Sequence, residues 1–103
     1  MIEANIYKAL GDPTRLEMVK RLASGDDYTI GELSTNLGIT RQGARKQLQV
    51  LVSANLIRLT PQGRETRVDL ELTTLTTAKQ FIAAIEQQWD QRLAALKRFA
   101  EEE

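Results

Sequence analysis

Three residues around a glycine, Leu37-Gly38-Ile39, separate two short amphipathic segments, and no other feature limits the fold of this chain as closely. Upstream, Thr29-Ile30-Gly31-Glu32 has the form of a capping box, in which the Thr hydroxyl and the Glu carboxylate satisfy two amides at a helix start. Ile30, Leu33 and Leu37 then face inward on a short helix. Gly38 supplies a left-handed turn residue. Thr40 caps the next helix, expected over residues 41–54 and closed by Asn55, which tolerates the same left-handed backbone. Two helices joined this tightly form a helix-turn-helix.

The flanking segments fit around that pair. Residues 2–10 read as a helix with Ile2, Ile6, Ala9 and Leu10 on one side, ended by Gly11. Asp12-Pro13 restarts the chain as N-cap and first helical residue, and a helix over 13–24 carries Leu16, Val19, Leu22 and Ala23 as its apolar stripe. Beyond Asn55 the pattern turns to alternation. Residues 56–60 and 65–72 read as a hairpin around Pro61-Gln62-Gly63-Arg64, with Val68, Leu70 and Leu72 on one face and Arg67, Asp69 and Glu71 on the other. Thr73-Thr74 precedes a last helix over residues 75–103, roughly 40 Å long. The fold class is therefore mainly α with a small β-hairpin: a winged helix-turn-helix of five helices with a long C-terminal helix, expected as one domain over 1–103.

That last helix carries Ala78, Phe81, Ile82, Ile85, Trp89, Leu93, Leu96, Phe99 and Ala100. So long an apolar stripe exceeds what a protomer of 103 residues covers, and it points to a homodimer built on that helix. Ile85, Trp89, Leu93 and Leu96 are the expected interface residues; the rival arrangement packs the helix back on its own hairpin.

Composition narrows the chemistry. With no Cys and no His, disulfides, thiolate metal ligands, iron-sulfur clusters and imidazole metal sites are all excluded, together with most acid-base catalysis. No Gly-rich phosphate loop is present and the carboxylates are dispersed, so neither an enzyme nor a cofactor is expected. No apolar run approaches the roughly 20 residues of a membrane helix, and residues 1–10 lack the apolar core of a signal peptide, so no membrane partner and a cytoplasmic location are expected.

Net charge is zero, but it is unevenly placed. Residues 1–39 carry −2 and residues 68–103 carry −3; residues 40–67 hold Arg41, Arg45, Lys46, Arg58, Arg64 and Arg67 against Glu65 alone, a net +5. A basic segment between acidic ones is the pattern of a directed anion-binding face. At 100° per residue, Ala44, Leu48, Leu51 and Val52 form the buried stripe of helix 41–54. Gln42, Lys46 and Gln49 point the opposite way, flanked by Arg45, with Arg41 in the first turn and Gln47 on the other shoulder. Amides read adenine edges, guanidiniums read guanine and an ammonium neutralises phosphate, so this row suits a major groove. The same residue types are also ordinary helix formers on a solvated face. Gly43 argues against mere solvation, since a mid-helix Gly costs about 1 kcal/mol relative to Ala and is better explained by close approach to a backbone. Val50 lies outward, with either a thymine methyl or the hairpin as its partner. Arg64 and Arg67 make the hairpin tip and root basic, as a narrow minor groove favours; Thr40 and Thr60 have hydroxyls for phosphates, although capping already accounts for Thr40.

Residues 9–72, from Ala9-Leu10-Gly11-Asp12-Pro13-Thr14-Arg15-Leu16 through Thr29-Ile30-Gly31-Glu32-Leu33, residues 39–51 and Asn55-Leu56-Ile57, resemble the ArsR/SmtB family of winged-helix repressors. The resemblance implies a recognition helix bearing Arg41, Gln42, Arg45, Lys46 and Gln49, a wing bearing Arg64, and a homodimer formed by the first and last helices, residues 2–10 and 75–103, which adds Ile6 to the expected interface. Trp89-Asp90-Gln91-Arg92-Leu93 is similar to a cysteine-poor branch of the family. The family's metal sensors carry Cys in the third helix or Asp and His in the last; neither set is present, so metal sensing is not implied. Where members often carry a His before the fourth helix's Leu, this chain has Gln47.

The expected function is a homodimeric regulator of transcription, a repressor that binds an inverted repeat in double-stranded DNA through Thr40, Arg41, Gln42, Arg45, Lys46, Gln49, Arg64 and Arg67. The alternative is a winged-helix module whose basic face docks an acidic protein. The sequence identifies no small-molecule effector.

Overall fold

Asp12 sets the first corner of the molecule. In the computed structural model, which describes residues 2–102, its carboxylate accepts hydrogen bonds from the amides of Thr14 at 2.9 Å and Arg15 at 3.1 Å. A helix α2 over Pro13–Ala23 therefore starts almost where α1, Ile2–Leu10, stops. Arg15 locks the corner. Its Nε donates to the Ala9 carbonyl at 2.6 Å, which the end of α1 leaves open, and a terminal nitrogen donates at 3.3 Å to the Lys8 carbonyl, which also accepts from the Gly11 amide. This bond set corrects the phase of α2. Because Arg15 takes the inward position, the stripe runs Arg15, Met18, Val19, Leu22, and Leu16 and Ala23 are exposed.

The remaining elements are β1 (Tyr28–Thr29), α3 (Ile30–Leu33), α4 (Arg41–Ser53), β2 (Ile57–Gln62), β3 (Glu65–Leu70) and α5 (Leu72–Glu101). The Thr29–Glu32 capping box forms as expected, but α3 is only four residues long. Its link to α4 is longer than three residues and contains two left-handed positions, Asn36 at φ 60° and Gly38 at φ 71°. At the far end of α4, Asn55 is left-handed at φ 58°. Its amide donates to Val52 O and that of Leu56 to Leu51 O, both at 2.9 Å, a Schellman closure that buries Leu51 against Leu56 and aims the chain into the wing.

The sheet is antiparallel with order β1-β3-β2. Register pairs Ile57 with Leu70, Leu59 with Val68 and Gln62 with Glu65, so the turn is only Gly63-Arg64. Pro61 falls within β2, where an edge strand tolerates it. The short β1 pairs Tyr28 with Val68 and Thr29 with Arg67; two residues give no readable alternation, which is why the sequence shows only a hairpin. The core joins all layers through Ile6, Met18, Leu33, Leu48, Leu51, Leu56 and Val68.

α5 begins at Leu72, not at residue 75. The Glu71 amide donates to Leu56 O at 2.8 Å, ending the strand there. Leu72 is 66% exposed in the first helical turn and does not share the hairpin's inner face. Thr76 and Thr77 fit the helix by donating to the carbonyls of Leu72 and Thr73. Thr74 and Ala78 are buried against the body, and the Tyr7 hydroxyl donates to Ala78 O at 2.6 Å. From Lys79 onward every described residue of α5 is exposed, and the molecule measures 70 Å along its longest axis against 26 and 25 Å across.

Arg15→Ala removes a charged donor from two helix-end carbonyls and leaves them less well paired. We expect a loss of about 2 kcal/mol, a fall in melting temperature of roughly 10 °C for a chain of this size, measured by thermal circular dichroism.

Candidate nucleic-acid interface

The inner face of α4 determines what its outer face shows. Ala44, Leu48 and Leu51 are buried, as the periodicity requires, which leaves Arg41, Gln42, Arg45, Lys46 and Gln49 exposed. Thr40 is exposed too, and its hydroxyl oxygen accepts from the Gly43 amide at 2.9 Å, so its structural task is the cap. Gly43 is explained there as well. A Cβ at this position would sit 3.2 Å from Thr40 Oγ1 and 3.7 Å from Ile39 Cβ, so within the protomer the close approach is to the side chains at the start of α4.

Two apolar residues depart from the expected pattern. Val52 is 41% exposed, because it lies beside the space under the wing and outside the core stripe. Val50, 39% exposed, is turned from the hairpin and lines a cleft against Lys8 and Arg15 at the α1–α2 corner. Gln47 is half-buried, and its Oε1 accepts from Arg15 at 2.6 Å, which removes it from the outward row.

The wing brings Arg64 to α4. Arg45, Gln49 and Arg64 line one open groove of about 830 Å³, with Glu65 beside them. Among the described residues, Arg41, Arg45, Lys46 and Arg64 form no ion pair. A second, shallower recess holds Arg41 with Arg45 at the start of α4. One cationic face thus runs from the helix start to the hairpin tip.

Arg67 stands apart from that face. It is half-buried, with Nε 3.1 Å from Asp69 Oδ1 and a terminal nitrogen 2.9 Å from Asp27 Oδ1. The β1–β3 register creates the second pair, since Arg67 lies opposite Thr29 and Asp27 precedes β1. Arg67 therefore braces the wing root and is not a free cation, a role hidden from the sequence because Asp27 lies 40 residues away. Arg58 is likewise engaged, 3.1 Å from Glu71 Oε2.

Ile6 is also corrected. It is completely buried in the protomer's own core, its side chain held by the packing of α1, and it has no surface to offer a second copy. Ile85, Trp89, Leu93 and Leu96 are 48–57% exposed along α5.

Among the described residues no group of three or more His, Cys, Asp or Glu side chains is placed to hold a metal ion, and no helix is long and apolar enough to cross a membrane.

Residues 10–60 match the model of a helix-turn-helix domain family. The chain is 34% identical over 73 residues to the HTH-type transcriptional regulator Rv2034 of Mycobacterium tuberculosis, an alignment covering 71% of this chain and 67% of that protein. It is 37% identical over 65 residues to YuzN, an uncharacterized HTH-type transcriptional regulator of Bacillus subtilis, covering 57% of this chain and 71% of the relative. An ArsR-like transcriptional regulator from Rhodococcus sp. RHA1 superposes with a TM-score of 0.82 at 32% identity, covering 96% of this chain and 92% of the other.

Exposed ion pairs contribute little each. Arg67→Ala, which breaks two, is expected to lower the unfolding free energy by about 1 kcal/mol, whereas Arg45→Ala changes it by less than about 0.5 kcal/mol; urea titration of both variants makes the comparison.

Proposed function

Because the chain belongs to the ArsR-type winged helix-turn-helix transcriptional regulators, DNA-binding proteins and not enzymes, we propose that it acts as a homodimeric repressor gripping an inverted repeat. The observation that carries this reading is the unpaired cationic face of α4 and the wing tip. α4 enters the major groove. Gln42 and Gln49 have the amide geometry for adenine edges, Arg45 for guanine or phosphate, and Arg41 and Lys46 for the flanking backbone. Arg64, at the end of a two-residue turn, reaches the adjacent minor groove. Arg67 holds the wing at the angle that makes this reach possible.

The exposed seam of α5 supports dimerisation. Ile82, Ile85, Trp89, Leu93, Leu96 and Phe99 recur at spacings of three and four residues, the period at which two helices pack along a shared seam. A twofold dimer sets two α4 helices about one duplex turn, ~34 Å, apart, and this spacing selects an inverted repeat. Repression follows from occupancy, since a dimer on two half-sites shadows about 20 base pairs and keeps other proteins off them.

Titrating a labelled duplex, chosen by selection from a random library, over a range of salt checks the interface. Log K should fall linearly with log salt, by about 0.9 for each phosphate neutralised; Lys46→Ala, which removes one contact from each half-site of the dimer, should reduce that slope by about 2, and Gln49→Ala should relax base preference at one position per half-site. A response independent of salt would remove the electrostatic basis of the reading.

Trp89→Glu places a charge in the middle of the α5 seam. Sedimentation velocity should show the parent chain at twice its formula mass and the variant at once its formula mass; a parent at once its formula mass would reject the dimer, and a variant still at twice would reject the α5 seam.

A further inference from the structure

The groove between α4 and the wing has an apolar floor that the duplex contacts leave unused. Leu48 closes its base, while Val52 of α4 and Leu59 of β2, 41% and 38% exposed, face the same opening. A phosphodiester backbone has use for cations but little for this floor. At the rim stand Arg45 and Arg64, neither with an ion-pair partner among the described residues, and Glu65. Two guanidiniums against one carboxylate leave a single net positive charge at the mouth. Apolar surface beneath a rim of charge +1 matches an amphipathic monoanion, and at about 830 Å³ the groove is within the size range of small-molecule sites.

We propose that this groove binds an amphipathic monocarboxylate, its apolar body on Leu48, Val52 and Leu59 and its carboxylate at the Arg45 and Arg64 rim, where guanidinium forks suit carboxylates. The regulatory consequence rests on the reading of this face as the DNA interface. Ligand and duplex claim the same guanidiniums, so each excludes the other by direct occupancy, without any movement of the fold.

Decanoate, kept below its micellar range, is the probe, with decanol and acetate as its two halves. In methyl-labelled protein without DNA, decanoate should produce saturable shifts at Leu48, Val52 and Leu59. Decanol should bind at least tenfold more weakly, and acetate should produce no shift. Leu59→Asn, with Val52→Asn as a second variant should the first fail to fold, should weaken decanoate tenfold, and Arg64→Gln about fivefold. Shifts gathered instead on Leu93 and Leu96 of α5, equal binding of decanol, or no saturable shift would overturn the proposal. Against a bound labelled duplex, decanoate should displace the parent chain but not Leu59→Asn, which keeps its duplex affinity. Duplex binding that survives saturating decanoate overturns the exclusion. A chain that binds decanoate in the groove and no duplex at all supports the site and overturns the DNA reading, so the two failures are told apart.

Discussion

One guanidinium holds the scaffold of this protein in register. Arg15 reaches back to the carbonyls of Lys8 and Ala9 and sideways to Gln47, and so joins the end of α1, the start of α2 and the flank of α4. The Ala9 carbonyl and the half-buried Gln47 amide gain a charged donor, and the Lys8 carbonyl, which already accepts from the Gly11 amide, gains a second one. The Asp12 cap is what brings Arg15 there, since a tight restart after α1 places the third residue of α2 beside the last turn of the preceding helix. Through Tyr7, whose hydroxyl donates to Ala78 O, the same α1 is also fastened to α5. α4 and α5 are thus both oriented on a single short segment.

Much of this was legible in the sequence because it is encoded locally. The Thr29–Glu32 box, the Asp12 and Thr40 caps, and the left-handed Gly38 and Asn55 each involve residues within a few positions of one another, and all form as the pattern requires. Arg41, Gln42, Arg45, Lys46 and Gln49 are exposed because the buried Ala44, Leu48 and Leu51 leave them no other side. What periodicity could not show was set by partners distant in the chain. Arg15 displaced Leu16 from the core, Asp27 engaged Arg67, and the packing of α1 took Ile6 inside. The two-residue β1 exists only as a partner of β3, and no pattern within Tyr28–Thr29 announces it.

The charge pattern gains meaning from these partnerships. Residues 40–67 carry six cations, yet they divide by role once the structure is known. Arg58 and Arg67 are matched by Glu71, Asp69 and Asp27, which lie in the acidic flanks of the sequence. Arg41, Arg45, Lys46 and Arg64 keep no such partner among the described residues and share one face. The acids outside the segment therefore act on the face by selecting which cations remain available. A count of charge by segment overstates the number of unpaired cations, which among the described residues of this segment is four.

The position of those four with respect to α5 gives the proposed dimer its geometric logic. A helix of 30 residues is about 45 Å long, and only its first two turns are buried against the body. The remainder holds no α4 or wing residue, so a seam formed there joins two protomers without covering either cationic face. Rigidity between seam and face then matters more than affinity within the seam, because half-site spacing tolerates little angular error. The hydrogen bonds from Tyr7 to Ala78 O, and from Arg15 to Ala9 O and Gln47 Oε1, span that interval in two short steps, each within a packed layer. Without cysteines, and with no metal-holding cluster among the described residues, the chain ties its long helix to α4 through one tyrosine and one arginine.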